Sequence, residues 1–307
     1  MKNIQKEIIE VIKYVPREII PRRGHLKPLR AEAKGNSIIL SCNHCKPVRI
    51  KKEITLRADE YQGVGLYLAE GTKYYNLNKK THHCGEISFS NSYPECILII
   101  SKLFSKFGIS PRELRWRIGL NINLEETISN GELAEFWIAS AKLDRSKARP
   151  NGFYFSGNRG KRLSKNPGNK GCLHIHYAST ILRNVFTFFI TRKLDEAIEE
   201  RSEWKSAMIL KGFFAGDGCV TYSKKHNGRQ VEFICHDKIL IEKLRKCLQI
   251  LGLKSIKETW PATTKTHSKA LRIYNTHDFR ILEKYEILEL IPHKREVFKK
   301  LLKSLPP

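Results

Sequence analysis

Long apolar runs are missing from this sequence. The longest, such as Ile97 to Leu103, have the length of core segments, and none approaches the 18 or more residues of a membrane-spanning helix. No secretory leader is visible, because the first 15 residues read as a short, charged amphipathic helix. These absences exclude proteins with spanning helices. They predict no membrane partner and a cytoplasmic or otherwise intracellular setting, which would be an organelle in a eukaryote.

Acidic residues are scarce as well. The 307-residue chain has 31 Asp and Glu against 56 Lys and Arg, and its formal net charge is +25. Such an excess opposes a compact fold through self-repulsion and is tolerated best when phosphates neutralise it. The composition therefore favours a polyanion as partner. Hydrophobic residues make up 41% of the chain, which is enough for one large domain or two fused halves.

A second Cys-x-x-Cys pair is also absent. Cys42 and Cys45 form a single pair around His44, and the nearest further zinc ligands are the His-His-Cys run at 82–84. Structural zinc usually takes two pairs at defined spacing, so a hairpin turn with reduced thiols is favoured over a metal site. The other cysteines are scattered singly, which is typical of small core residues in a reducing compartment.

What the chain does contain is a repeated nonapeptide. Residues 63–71 read GVGLYLAEG and residues 210–218 read LKGFFAGDG. The central glycines, Gly65 and Gly212, have the same offset along the chain as the acids, Glu70 and Asp217. The interval from Phe89 to Gly108 also equals that from Phe233 to Gly252. A long internal repeat of this kind indicates a duplicated structural unit.

Each copy of the nonapeptide is apolar except next to its end, which predicts a buried helix that ends at the acid. Gly71 and Gly218 would then terminate the helices in a positive-φ conformation. Small residues within the helices allow two helix backbones to approach closely, at a cost in helix propensity. These small residues are Gly65, Ala69, Gly212 and Gly216.

Packing of the two copies on each other would bring Glu70 and Asp217 side by side at two helix C-termini. Two carboxylates beside two negative dipole ends repel, unless a hard divalent cation lies between them. The repeat therefore predicts a metal site with one acid from each unit. The alternative, a pair of surface carboxylates without a role, explains neither the paired glycines nor the repeat.

Both segments resemble the signature helix of the LAGLIDADG homing endonucleases, in the duplicated, single-chain form of that family. The central glycines, the small residues before the acids and the acid–glycine ends agree with the pattern. Leu68 and Ala215 stand where the pattern has a further acid. The resemblance covers about residues 56–300.

The resemblance implies an α+β fold of two pseudo-twofold αββαββα halves, with saddle-shaped antiparallel sheets and the signature helices packed at the interface. The expected boundaries are an N-terminal extension at 1–55, a first half at 56–200 and a second half at 201–307. Strands and helices in the sequence agree with this order. The predicted segments are a hairpin (37–40, 48–54), strands (72–75, 86–90, 219–223, 230–235, 255–260, 270–274) and helices (93–107, 238–251).

The resemblance implies that the protein, as a monomer, cleaves both strands of a long DNA target in a metal-dependent reaction. This cleavage would serve intron homing. The metal site would hold Mg²⁺, with Mn²⁺ or Ca²⁺ as substitutes. Its residues would be Glu70, Asp217, Ala69 and Gly216, and Lys73 and Lys257 would assist catalysis.

Two alternatives stay open on the same fold. One is an RNA maturase that binds its own intron RNA, a role that can coexist with nuclease activity. The other is a catalytically silent DNA-binding regulator. Loss of cleavage would normally leave a neutral residue at position 70 or 217, and both are acidic, which disfavours the second alternative.

Alternating strands supply candidate DNA-reading residues. In residues 115–123, apolar and polar side chains alternate, which predicts one buried and one wet face. Arg and Asn on the wet face suit guanine and adenine edges in the major groove, although a solvated outer face is the commoner explanation. The candidates on this and similar strands are Arg115, Arg117, Asn121, Asn123, His174, His176 and Arg272.

A segment between residues 145 and 170 is rich in Gly, Asn, Ser and basic residues and contains no acid. In a DNA-binding protein it would be an arm that contacts phosphates and becomes ordered on binding. The alternative is a solvated loop. The arm's candidate contacts are Arg159, Lys161, Arg162 and Lys165.

Overall fold

A computed structural model describes residues 5–19, 26–43, 45–71, 85–120, 129–155, 170–224, 228–259 and 269–305. Contacts divide the chain into two compact units. The C-terminal unit comprises residues 1–5, 57–70 and 190–307, and the N-terminal unit comprises residues 6–56 and 71–189. The first signature helix thus groups with the second repeat.

The described residues form eight α-helices and fifteen strands. The helices are α1 (Ala58–Glu70), α2 (Pro94–Lys106), α3 (Asn130–Ala141), α4 (Thr180–Glu199), α5 (Glu203–Asp217), α6 (Lys238–Ile250), α7 (Thr276–Lys284) and α8 (Pro292–Lys303). The strands are β1 (Glu7–Glu10), β2 (Glu18–Ile19), β3 (Lys27–Pro28), β4 (Arg30–Lys34), β5 (Ser37–Ser41), β6 (Val48–Lys51), β7 (Glu53–Leu56), β8 (Glu86–Asn91), β9 (Arg115–Leu120), β10 (Ala148–Phe155), β11 (Cys172–Ala178), β12 (Gly218–Ser223), β13 (Gly228–Cys235), β14 (Ile256–Thr259) and β15 (Lys269–Ile273).

The C-terminal unit is built on the contact between α1 and α5. A Cβ atom on Gly65 would lie 1.9 Å from the carbonyl oxygen of Ile209, and one on Gly212 would lie 1.9 Å from that of Gln62. Only glycine fits at either place, since the backbone of one helix occupies the space that a side chain of the other would need. The predicted close packing of the two repeat helices is confirmed.

The end of α5 differs from the prediction. Gly218 has φ −90° and ψ 151°, so it is extended and not left-handed. Its role is steric, because a Cβ atom here would lie 2.3 Å from the Phe214 ring. The chain therefore passes directly from helix to strand, and Gly218 pairs with Phe233. In the N-terminal unit Gly71 forms the corresponding antiparallel bridge with Phe89.

A four-stranded antiparallel sheet in the order β12-β13-β15-β14 completes the repeat of the C-terminal unit. With its helices, this repeat has the predicted αββαββα order, from α5 to α7. Val231, Phe233, Leu271 and Ile273 are buried on one face of the sheet. Because α5 and α6 both contact this sheet, these side chains form the core of the unit.

The N-terminal unit has a sheet in the order β10-β9-β11-β8. Its three strands β9, β11 and β8 are antiparallel, as predicted, but β10 pairs with β9 in parallel. The segment between β9 and β11 is long enough to contain both α3 and β10. The crossover through α3 brings the chain back, so that β10 runs in the same direction as β9. The corresponding connection in the C-terminal unit comprises only residues 260–268.

The predicted N-terminal amphipathic helix is wrong. Residues Glu7–Glu10 form β1, which pairs with β7, and a short 3₁₀ turn follows at Val11–Tyr14. Isoleucine and valine dominate this segment, and β-branched side chains favour strands. The predicted hairpin is confirmed, since β5 pairs with β6, and β4 adds a third strand. In the described parts of the chain, no helix is long and apolar enough to cross a membrane.

We predict that Gly65→Ala lowers the free energy of unfolding by about 1–3 kcal/mol or more, because its methyl group must separate α1 from α5. Gly131→Ala is the matched control. Its methyl group meets nothing closer than 3.9 Å, so this change should leave stability unchanged or raise it. Chemical denaturation measures both. Equal stability of Gly65→Ala and the wild type would contradict the packing described here.

Candidate active site

Glu70 and Asp217 end the two packed helices. A Cβ atom on Gly216 would lie 2.6 Å from Ala69 Cβ, 2.9 Å from Glu70 Cγ and 3.8 Å from Glu70 Oε1. The Glu70 side chain therefore lies against the residue that precedes Asp217. Glu70 is exposed and Asp217 half-buried. The structure thus brings together the four residues of the predicted metal site.

A lysine that the sequence did not indicate lies at the end of α5. Lys294 Nζ donates hydrogen bonds to the carbonyl oxygens of Phe214 at 2.9 Å, Ala215 at 2.9 Å and Gly216 at 3.3 Å. It also lies 5.3 Å from the centre of the Phe214 ring. Carbonyls in the last turn of a helix lack a full set of intrahelical donors, although that of Phe214 also accepts from Gly218 N–H. A cation here opposes the negative end of the helix dipole. Lys294 is therefore a C-terminal cap supplied by another helix.

Lys294 has one weak signal in the sequence. It lies in the first turn of α8, two residues after Pro292, where a positive charge is unfavourable to the helix dipole. A cation at such a place indicates a partner elsewhere in the fold. The sequence does not say which partner, because α5 lies far from α8 along the chain.

The donor atoms at this site fit a hard divalent cation. Two carboxylates at converging helix ends offer oxygen ligands, which Mg²⁺ and Ca²⁺ prefer over nitrogen or sulfur. The absence of a side chain at Gly216 leaves room next to the Glu70 carboxylate. The Gly216 carbonyl oxygen already accepts a hydrogen bond from Lys294, so the carboxylates are the principal candidate ligands.

Lys257 is not brought to the acids. It lies on β14, at the opposite edge of the sheet from β12, which follows Asp217. Three strand spacings separate these strands, a backbone distance of about 14 Å. The Lys257 ammonium instead lies 5.9 Å from the centre of the Tyr274 ring.

Arg272 lies on the polar face of the C-terminal sheet, as predicted. In the register of the sheet it stands between Glu232 and Lys257. Its Nε donates a hydrogen bond to Glu232, whose residue is only 7% exposed. The guanidinium is therefore held by a carboxylate and does not project freely from the sheet.

The face of the N-terminal sheet that contains β9 has the predicted alternation. Trp116 and Ile118 are buried, whereas Arg115 and Arg117 are exposed. On the neighbouring strand, His174 stands opposite Arg117 and His176 opposite Arg115. Of these four residues, the two arginines are the exposed ones.

The two histidines of that face are neutral at physiological pH. Burial, and then the nearby Arg117, lowers the pKa of His174 to about 4. Burial, and then Arg149, lowers the pKa of His176 to about 3. His176 is only 4% exposed and accepts a hydrogen bond from Arg149 Nε. His176 is therefore a hydrogen-bond partner within the sheet, and its ring is not presented to solvent.

Arg149 was predicted as part of a basic arm and instead occupies a defined place at the sheet. Its Nη2 lies 2.8 Å and 3.0 Å from the two carboxylate oxygens of Glu86. Several other predicted residues lie outside the described residues. They are Lys73, Asn121, Asn123, Arg159, Lys161, Arg162 and Lys165.

The Cys-x-x-Cys pair forms a turn, in which Cys45 N–H donates to the Cys42 carbonyl oxygen at 3.2 Å. Burial, and then a hydrogen bond with the Cys45 side chain, raises the pKa of Cys42 to about 12. Cys42 and Cys45 are not joined by a disulfide. His44 and residues 82–84 lie outside the described ranges.

Residues 204–285 match the family model of the LAGLIDADG-like domain. The chain carries a LAGLIDADG-like domain. The matched range contains Asp217, both glycines of α5 and all strands of the C-terminal sheet. The helix α1, outside that range, packs on the LAGLIDADG-like domain through Gly65.

Solved structures are similar at low identity. A variant of the homing endonuclease I-DmoI is 12% identical over 76% of this chain and 98% of its own, with a TM-score of 0.34. Meganuclease I-SmaMI bound to uncleaveable DNA is 11% identical over 80% and 96%, with a TM-score of 0.35. Full-length DUF199/WhiA from Thermatoga maritima is 11% identical over 81% and 62%, with a TM-score of 0.37. None of the curated proteins compared with the chain matches it.

We predict that Lys294→Met lowers the free energy of unfolding by about 1–2 kcal/mol, because three carbonyl groups at the end of α5 each lose the hydrogen bond from Lys294. Backbone amide exchange should accelerate at the end of α5, including at Gly218, whose N–H donates to Phe214. Lys300→Met, which removes an exposed charge from the same helix, is the control. Identical exchange in the Lys294 variant and this control would show that the cap has no role.

Proposed function

We propose that the protein is a site-specific double-strand DNA endonuclease in which each repeat supplies one active-site acid. The observation that carries the proposal is the glycine-to-backbone packing of α1 on α5, in which Glu70 lies against Gly216, the residue before Asp217. The family match over residues 204–285 supports it. Because both acids belong to one chain, a monomer would complete the site.

Electrostatic repulsion between the two acids supports a functional role for them. Two carboxylates at the negative ends of two helices destabilise one another and the helix ends. Lys294 offsets part of this charge at α5. Acids that oppose the stability of a fold are typical of a site that binds a cation or acts on a substrate.

Glu70 and Asp217 would hold divalent ions, most suitably Mg²⁺. Such an ion, when bound, supplies a water molecule with a lowered pKa and neutralises charge that develops on the phosphate. The two carboxylates fix its place relative to the scissile bond. Lys294 keeps the last turn of α5 in one conformation, so that the Asp217 carboxylate is oriented before the substrate arrives.

Double-stranded DNA is the proposed substrate. A net charge of +25 favours binding to phosphates, and Arg115 and Arg117 project from the polar face of β9. A guanidinium can donate two hydrogen bonds to one guanine edge. On the C-terminal sheet, the hydrogen bond to Glu232 orients a third arginine, Arg272. We expect a long target at the insertion site of an intron that encodes the protein.

We predict that the wild type linearises a supercoiled plasmid that carries this target in Mg²⁺. Asp217→Asn and Glu70→Gln keep the size of each side chain but remove its charge, so both should lose double-strand cleavage and keep DNA affinity. Each variant should nick one strand, and the two nicked strands should be complementary. Strand-specific end labelling distinguishes them. An ion shared by both acids would instead abolish nicking in both variants.

Glu95→Gln, which neutralises an exposed acid on α2, is the control and should cleave normally. Near-normal cleavage by Asp217→Asn, or nicks on the same strand from both variants, would contradict the assignment. A wild type that binds the duplex but cuts it in no divalent ion would be a DNA-binding regulator. Restored splicing of the intron RNA without DNA cleavage would identify a maturase.

A further inference from the structure

The three-stranded sheet β4-β5-β6 of the N-terminal unit has two unlike faces. Ile38, Leu40 and Ile50 are buried on one of them. On the other, the register aligns Lys34, Ser37 and Lys51 across the three strands. Because side chains alternate along a strand, residues two and four positions away share this face.

Four basic side chains therefore share the outer face, together with one acid. The basic residues are Arg30 and Lys34 on β4 and Arg49 and Lys51 on β6, and the acid is Glu32. All five are exposed. We call the four basic residues the cationic face. No function assigned above involves them.

The cations of this face differ from those on the other sheets. Arg149 is paired with Glu86, and Arg272 with Glu232. Within the described parts of the chain, no residue of the cationic face belongs to an ion pair or a side-chain hydrogen bond. With Glu32 as the one acid on this face, the four cations leave an excess of positive charge that a bound polyanion would neutralise.

Geometry favours an extended partner over a small anion. Arg49 and Lys51 are two residues apart on one strand, about 7 Å, and Lys34 and Lys51 lie two strand spacings apart, about 10 Å. The side chains between them on the middle strand are Ser37, Ile39 and Ser41, so the cations are spread along and across three strands. Several phosphates in a row match such an array, and serine hydroxyls can donate to phosphates as well.

We propose that the cationic face is a second DNA-contacting surface, which binds the phosphate backbone without reading the sequence. The choice of DNA as the polyanion rests on the proposed function. The surface has no Asn or Gln, and its two arginines belong to opposite edge strands. It would add affinity outside the bases that the enzyme reads.

The test is the salt dependence of binding to a duplex of random sequence. Changing Arg30, Lys34, Arg49 and Lys51 together to Gln removes four phosphate contacts, so the slope of log affinity against log salt should fall by about 3 to 4. The matched control changes four exposed lysines of α6 and α8 to Gln, which removes the same net charge. These lysines are Lys246, Lys299, Lys300 and Lys303. The control slope should fall by less than about 1.

A variant that keeps all four charges controls for effects of substitution on folding. Exchanging Lys for Arg and Arg for Lys at the same four positions should keep the wild-type slope. An unchanged slope in the Gln variant, or an equal fall in the control, would overturn the proposal. So would a fall that occurs with double-stranded RNA and not with DNA. Because the assay measures binding in the absence of cleavage, its outcome is independent of whether the protein is a nuclease.

Discussion

The contact between the backbones of α1 and α5 is the constraint on which the rest depends. With a Cβ atom excluded at Gly65 and Gly212, the helices approach until each glycine meets a carbonyl of the other helix. This approach brings the ends of both helices together, and with them Glu70 and Gly216, the residue before Asp217. The short distance between the two helices requires glycine in mid-helix, despite its low helix propensity. The same short distance brings two carboxylates to one site.

The basic residues of this molecule fall into two groups, those held by a carboxylate or a helix end and those that are exposed. Lys294 compensates the end of α5, and carboxylates hold Arg149 and Arg272 at the sheets. Arg115, Arg117 and the cationic face have exposed charges. The first group has its side chains held in place within each unit, whereas the exposed group suits an external polyanion. The net charge of +25 thus has two separable roles.

Much of the C-terminal unit could be predicted from the sequence, because glycine spacing and strand alternation are local signals. The strands β12 to β15 and the packing of α1 on α5 followed from them. The parallel strand β10 and the cap by Lys294 did not, since both depend on contacts between distant segments. The isoleucine-rich N-terminal segment was wrongly predicted as a helix, because its apolar residues have helical spacing although β-branched side chains prefer strands. Ion pairs such as Arg149–Glu86 leave no periodic signal at all.

The central claim is that two packed helices make one cation site from two repeats. A crystal structure of the DNA complex grown with Ca²⁺ tests it most directly. We expect Ca²⁺ with carboxylate oxygens of Glu70 and Asp217 about 2.3–2.6 Å away and a DNA phosphate oxygen among the other ligands. Calcium bound elsewhere, with these two carboxylates directed away from the phosphates, would contradict it.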